Sequence, residues 1–327
     1  LSNGFAIITA QKFGAKNIAD MKKSFAMSLV IGTGISILFT IAGLLFLKSI
    51  LHFLNVPKHL VPVAKGYIAI IIAGLLATFL YDACAATLRA IGDAVTPLII
   101  LAISVALNIV GDLFFVVVLK TGVKGAAIAT VLAQIIAFVI CWIYMIRKYE
   151  ILRLQKEDFK DPSPIMVKEM ISAGMSMGFM SSLVNIGTLT LQTAINKLGK
   201  DIIIAHTAAR KITEIFMIMF SVFGQTMATY CGQNVGAGKI DRVKRGIWLA
   251  IVYTAIWSGL TIIASYTIGG WLVYLVTGSH NKTVILNATN YLKFDTLFLY
   301  CDYLDLHFKK CDAGIRGSHY TTDFQRP

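Results

Sequence analysis

Charge is what this sequence has least of. Asp, Glu, Lys and Arg supply 14% of its 327 residues, against roughly 25% in a soluble domain. Hydrophobic residues reach 57% and mean hydropathy is +0.73, which excludes a water-soluble globular protein. Cysteine is also sparse. There are five, and Cys84, Cys141 and Cys231 lie in or at the ends of apolar runs. That is small-hydrophobe usage, and it excludes a secreted disulfide framework or a CxxC metal site. A phosphate-binding loop of the GxxxxGK[ST] kind is missing, so ATP is not the evident energy source. No catalytic triad, metal-ligand spacing or resident cofactor motif stands out, and the chain does not read as an enzyme. No cleavable signal opens it either. The opening "LSNGFAIITAQKFGAKN" reads as the last turns of a helix that begins before Leu1.

What is present is a series of long apolar runs. They cover Ser24–Leu47, Gly66–Leu88, Leu98–Leu119, Gly125–Ile146, Met166–Leu198, Ile202–Cys231, Ile247–Val276 and the stretch from Val284 onward. A spanning helix needs about 20 apolar residues. None of these runs alternates in the period of two that a membrane β-barrel strand requires. With every backbone group needing an internal partner in lipid, helices remain. The expected fold is therefore an all-α polytopic membrane protein in the lipid bilayer of a cell membrane.

Acidic residues number 17 against 30 basic ones, a net charge of +13. The positive-inside bias explains this better than nucleic-acid binding does. Lys12, Lys16, Lys22 and Lys23 fill the first loop. Arg147, Lys148, Arg153, Lys156, Lys160 and Lys168 surround the link "RKYEILRLQKEDFKDPSP", and Lys239, Arg242, Lys244 and Arg245 fill a later loop. The alternate loops carry only pairs (Lys58 and Lys65, Lys120 and Lys124, Lys197 and Lys200), so the first set faces the cytoplasm. The link, with Pro162 and Pro164, is the expected boundary between an N-terminal region, 1–150, and a C-terminal region, 151–299.

The two regions share a pattern. "AQKFGAKNIADMKKS" from Ala10 and "CGQNVGAGKIDRVKRG" from Cys231 align without a gap. Gln11 meets Gln233, Gly14 meets Gly236, Ala15 meets Ala237, Ile18 meets Ile240, Lys22 meets Lys244, and Lys23 meets Arg245. In each, a helix is expected to end at glycine and pass into a short basic loop. Repeated halves are common in transporters, with the substrate site between them. The repeat also predicts a partner for "LRAIGDAVTPLII" inside the polar tail from Tyr300. The tail lacks it as written, but codons can be chosen for Tyr300–Arg326 so that the second frame reads "IVITLICILKNAMQGFGDHITPLISSG". The stretch 300–327 therefore reads as a frameshifted translation, which the nucleotide sequence would decide. A real polar tail is the other reading. On the first, His307, Cys311 and His319 form no metal site.

"GQNVGAGKIDRVKRG", "LRAIGDAVTPL", "LNIVGDLFFVVVLKTGVKGAAIATVLAQ" and "LQTAINKLGKDIIIAHTAARKI" together resemble the MATE family, the multidrug and toxic compound extrusion transporters. The resemblance covers Leu1 to about Leu299. It implies two pseudo-symmetric six-helix lobes, of which this chain would hold the end of helix two to the beginning of helix ten. It further implies a monomer exporting organic cations or other amphipathic compounds in exchange for Na+ or H+. Two rivals remain: a flippase of lipid-linked precursors on the same scaffold, and a membrane interaction protein that transports nothing.

Asp112 lies inside an apolar run, where an ionisable group costs about 3 kcal/mol on insertion scales. Asn108, four residues earlier, shares its helix face, and Thr130 on the next helix is placed to complete an oxygen patch. Carboxylate, amide and hydroxyl oxygens suit a hard cation. Withdrawal from water favours the protonated carboxyl, so the same group is suited to take up a proton. The resemblance implies that Asn108, Asp112 and Thr130 form the cation site of the N-terminal lobe, joined by an aspartate from helix one. An idle Asp at the outer interface is the alternative.

Asp82 precedes Arg89 by two helical turns, either as counter-ion to a snorkelling Arg or in transport. Asn185, Gln192 and Asn196 share a face, as glue between helices or as cavity lining. Val184 stands near where some MATE branches carry a glutamate. Arg210 and Lys211 are spaced to pair with Glu214, as an interface anchor or a charge sensor in a substrate cavity. Asn281 and Asn287 begin glycosylation-like triplets, a pattern with many false positives.

Overall fold

A computed structural model describes residues 2–53, 59–195, 198–278 and 280–298. Among these residues all regular structure is helical. The chain divides into two compact units, Leu1–Gly174 and Met175–Pro327. The first holds α1 (Ser2–Gly14), α2 (Ile18–Phe53), α3 (Val61–Ala73), α4 (Leu75–Ala90), α5 (Val95–Asp112), a π-helical turn (Leu113–Val118), α6 (Val123–Lys148) and the start of α7 (Pro164–Ile195). The second holds the rest of α7, α8 (Lys200–Gly236), α9 (Ile240–Thr267), α10 (Gly269–Thr277) and α11 over 282–298. The stretch expected to be frameshifted and Asn196 both lie outside the described residues.

Among the described residues, five helices are long and apolar enough to cross a membrane. The pair α3 and α4, bent by 40° at Gly74, makes a sixth where the two count as one broken span. The break packs against α6, where a Cβ on Gly74 would collide with Val131.

The side-chain arrangement of α6 is the reverse of that in a soluble helix. Ala129, Ala133, Ala137, Cys141 and Met145 recur every fourth residue and are buried. Leu132, Ile135, Ile136, Val139 and Ile143 are 40–43% exposed. Small residues face protein and large apolar ones face outward, because in lipid close van der Waals packing holds helices together. The core of the first unit joins Met21 and Phe25 of α2, Tyr81, Cys84 and Leu88 of α4, and Cys141 and Met145 of α6. Leu152, from the polar link, is fully buried in the same core. The link thus folds onto the first unit, and the two compact units part inside α7, beyond the 150/151 boundary that its polarity suggested. In the second unit, Ala205, Ala209 and Ile212 of α8 pack against Val273, Ala288 and Leu292.

The internal repeat has a structural counterpart. α1 ends at Gly14 and α2 starts at Ile18, while α8 ends at Gly236 and α9 starts at Ile240. Lys16 and Gly238, equivalent in the alignment, both adopt positive φ, 60° and 70°. The closing hydrogen bonds match one for one. The N–H of Ala15 donates to Gln11 O and that of Ala237 to Gln233 O. Lys16 donates to Phe13 O and Gly238 to Val235 O, and Asn17 donates to Lys12 O and Lys239 to Asn234 O. A left-handed residue after the last turn lets the chain satisfy the terminal carbonyls and reverse at once.

Candidate functional site

In the first unit the structure joins two of the three oxygen groups anticipated there. Asn108 Nδ2 donates to Thr130 Oγ1 across the α5–α6 seam at 3.2 Å, and the Thr130 hydroxyl donates to Ala126 O at 2.9 Å. Asn108 is thereby oriented with its amide NH2 toward Thr130, which leaves its carbonyl oxygen free. Asp112 is the last residue of α5, one turn beyond Asn108, and its Oδ1 is buried without a hydrogen-bond partner. A buried carboxylate oxygen with no donor is costly to leave uncompensated. Directly after Asp112 the backbone widens into the π-helical turn, closed by Leu119 N–H donating to Phe114 O at 2.9 Å. Turns of this kind occur mostly as single interruptions inside α-helices, frequently at functional positions.

In the second unit Arg210 pairs with Glu214 at 3.6 Å and reaches Thr188 Oγ1 at 3.5 Å. Lys211 is exposed and takes no part. Asn185 is exposed and Gln192 is half-buried on α7, whose contact with Arg210 runs through Thr188. Four residues that the sequence reading passed over complete the cluster. The Thr213 hydroxyl donates to Asp295 Oδ2 at 2.8 Å, and Tyr291, one turn before Asp295, lies within electrostatic reach of Arg210. The ring of His206 lies edge-on to Tyr291 at 5.2 Å, is 5% exposed, and has no hydrogen-bond partner on either nitrogen. An Asp within the apolar run from Val284 was the available signal.

Asp82 and Arg89 share α4 but form no ion pair among the described residues. Asp82 is exposed, and Arg89 donates instead to Asn3 Oδ1 at 3.4 Å. The Arg89 charge still acts on Asp82 through space, without direct contact.

The MatE family model matches residues 1–114 and 176–309, well over half of the chain. The chain belongs to the MATE family. The match runs past Tyr300, where the polar tail begins. The probable multidrug resistance protein YpnP of Bacillus subtilis (strain 168) is 30% identical over 247 residues, 74% of this chain and 54% of that protein. YoeA, a second probable multidrug resistance protein of that strain, is 25% identical over 290 residues, 84% of this chain and 58% of the relative. The chain thus spans little more than half the length of these relatives. An outward-facing multidrug resistance MATE family transporter of the MOP superfamily superposes with a TM-score of 0.90 at 20% identity, over 98% of this chain and 71% of the other. A MATE solved in a bent conformation gives 0.87 at 19%, over 96% and 69%. These likenesses show the fold. MATE proteins are multi-pass membrane transporters, and the spanning helices above are of that kind.

A further polar cluster of this MATE chain lies at the cytoplasmic end of the first unit by the loop-charge topology. Asp93 follows Gly92, whose φ of +100° turns the chain out of α4. The Asp93 carboxylate accepts from Thr96 N–H at 3.0 Å, from the Thr96 hydroxyl at 2.8 Å and from the Tyr149 hydroxyl at 2.8 Å. Lys148 Nζ lies 3.9 Å away and also donates to the Tyr144 hydroxyl, which shares a 3.0 Å hydrogen bond with Thr96. The α4–α5 loop is thereby tied to the end of α6. Burial alone would raise the Asp93 pKa, but Thr96, Tyr149 and the Lys148 charge outweigh it and hold the carboxyl below its usual value. A depressed carboxylate stabilises the fold above the unfolded pKa, and that stability is lost as pH falls through the folded value. We expect Asp93→Asn to lower stability at pH 7 by about 1–3 kcal/mol. In thermal melts of detergent-solubilised protein, the two proteins should converge below roughly pH 4.

Proposed function

We propose that the protein is a secondary active exporter that moves organic cations or other amphipathic compounds out of the cell in exchange for Na+ or H+. The supporting observation is the buried, unpartnered oxygen of Asp112 beside the free carbonyl of Asn108, in a chain of the MATE family. Related proteins named for multidrug resistance support the substrate class. Coupling requires that cation and substrate compete, or that they favour opposite-facing states of the transporter. A carboxylate that binds either a cation or a proton provides that choice at one atom. The second-unit cluster of Arg210, Glu214, Tyr291, Asp295 and Thr213 then contributes charge and hydrogen-bonding groups to the substrate side.

The gene's full product, reconstituted in liposomes, tests this. Ethidium extrusion against its own gradient is expected only while an inward Na+ or H+ gradient is imposed, and is expected to stop when an ionophore collapses it. Extrusion that continues without either gradient rejects exchange. Movement of a lipid-linked precursor without movement of ethidium favours the flippase.

A further inference from the structure

Asp112 is not alone in presenting an unsatisfied buried oxygen to this region of the first unit. Oε1 of Gln134, on α6, is also buried and without a hydrogen-bond partner. Its position follows from the register of the seam. α5 and α6 run antiparallel, and the Asn108–Thr130 bond fixes which residues lie level. One turn along each helix from that bond come Ser104 and Gln134, on the same faces as Asn108 and Thr130. The Ser104 hydroxyl donates to the carbonyl of Ala133, the residue beside Gln134, at 3.2 Å. Ser104 is 3% exposed, so it is enclosed within the seam. Because its hydrogen is committed to Ala133, its lone pairs stay available. The seam thus carries two groups of free oxygens, the inner one about 6 Å from the Asn108 level and about 12 Å from Asp112 along the helix axis. The outer group is Asp112 with Asn108, and the inner one is Gln134 with Ser104.

We propose that Ser104 and Gln134 form a second, inner station for a small monovalent metal cation, one helical turn from the Asn108–Thr130 level. The coupling ion leaves Asp112 and passes along the α5–α6 seam toward the cytoplasmic side through this station. The inference rests on the exchange reading above and narrows it. An amide carbonyl and a serine hydroxyl have oxygens to coordinate a metal ion but do not titrate near neutrality, so neither holds a coupling proton. The neutral station binds more weakly than the carboxylate, which suits an ion that must move on. The class of ion it selects is an alkali cation, with sodium as the probe.

The test uses the full gene product in liposomes, with equilibrium sodium binding and radioactive sodium uptake as readouts. Gln134→Met keeps the side chain's length and removes its oxygen. It is expected to leave equilibrium binding at Asp112 within about threefold while slowing uptake about tenfold or more. Ser104→Ala, which removes the companion oxygen from a different helix, is expected to slow uptake in the same direction and serves if the first variant does not fold. Gln134→Glu is expected to tighten sodium binding about tenfold by adding a charge at the inner station. If Gln134→Met and Ser104→Ala transport sodium at the unaltered rate while Asp112→Asn loses binding, the inner station is rejected and the role of Asp112 stands. If sodium neither binds nor moves in the unaltered protein while a proton gradient drives export, the station is rejected and exchange stands. If none of the substitutions affects binding or uptake, both readings fall.

Discussion

Asp112→Asn in the gene's full product is expected to leave membrane insertion intact and to abolish drug resistance. Asn keeps the size of the side chain and one carbonyl oxygen, so packing of α5 against α6 is preserved. What disappears is the charge. Asp112 Oδ1 is buried with no donor to compensate it, so a bound cation is its natural partner, and a neutral amide there holds that cation far less well. A loss of at least about 100-fold in cation affinity corresponds to about 2.7 kcal/mol. Insertion becomes easier, since the carboxylate itself costs about 3 kcal/mol at membrane depth. Immunoblots of membrane fractions should therefore show equal or greater amounts of the variant. Growth in the presence of ethidium should fall to the level of cells lacking the gene. Unchanged efflux at equal protein would remove Asp112 from the mechanism.

The largest structural effect is expected at Gly4. A Cβ there would lie 2.7 Å from Gly174 Cα and 2.8 Å from Ala173 O, so α1 and α7 touch backbone to backbone. Neither neighbour is a side chain that can swing away. Gly4→Ala forces the helices apart and is expected to cost about 3 kcal/mol, at the upper end of overpacking effects. Gly34→Ala is the matched control. It sits inside α2, a Cβ there meets nothing within 4 Å, and replacement should gain up to about 1 kcal/mol of helix propensity. The two alanine variants should shift thermal unfolding in opposite directions. A neutral Gly4→Ala would mean that the crossing is looser than described.

Local features of the fold were readable in the sequence because local chemistry determines them. The paired reversals after Gly14 and Gly236 need a terminal turn, a left-handed residue and a basic loop, all within a few consecutive positions. Asn108 and Asp112 lie one turn apart, so their shared face follows from helical period alone. Thr130 could be matched to them because α6 follows α5 after a short loop. The second-unit cluster was harder. Thr213 and Asp295 are 82 positions apart, and nothing in either helix's own pattern announces the other. Gln134 was hidden for another reason: one amide in a long apolar run looks incidental until Asn108 fixes the register. Asp82 and Arg89 show the limit of spacing alone. Their spacing shares a face, but the reach of a long side chain decided the outcome, and Arg89 turns to Asn3.

The π-helical turn at Leu113–Val118 gives this span slack beside its carboxylate. Such a turn behaves as an α-helix holding one residue more than its ladder needs. In an ordinary spanning helix, a one-residue deletion would spin everything beyond it by about 100°. Here the deletion can be absorbed by tightening the wide turn, with Asp112 and the loop after Leu119 both left in place. The segment is therefore where a shorter descendant of this protein can lose a residue and keep the Asp112 carboxylate in place.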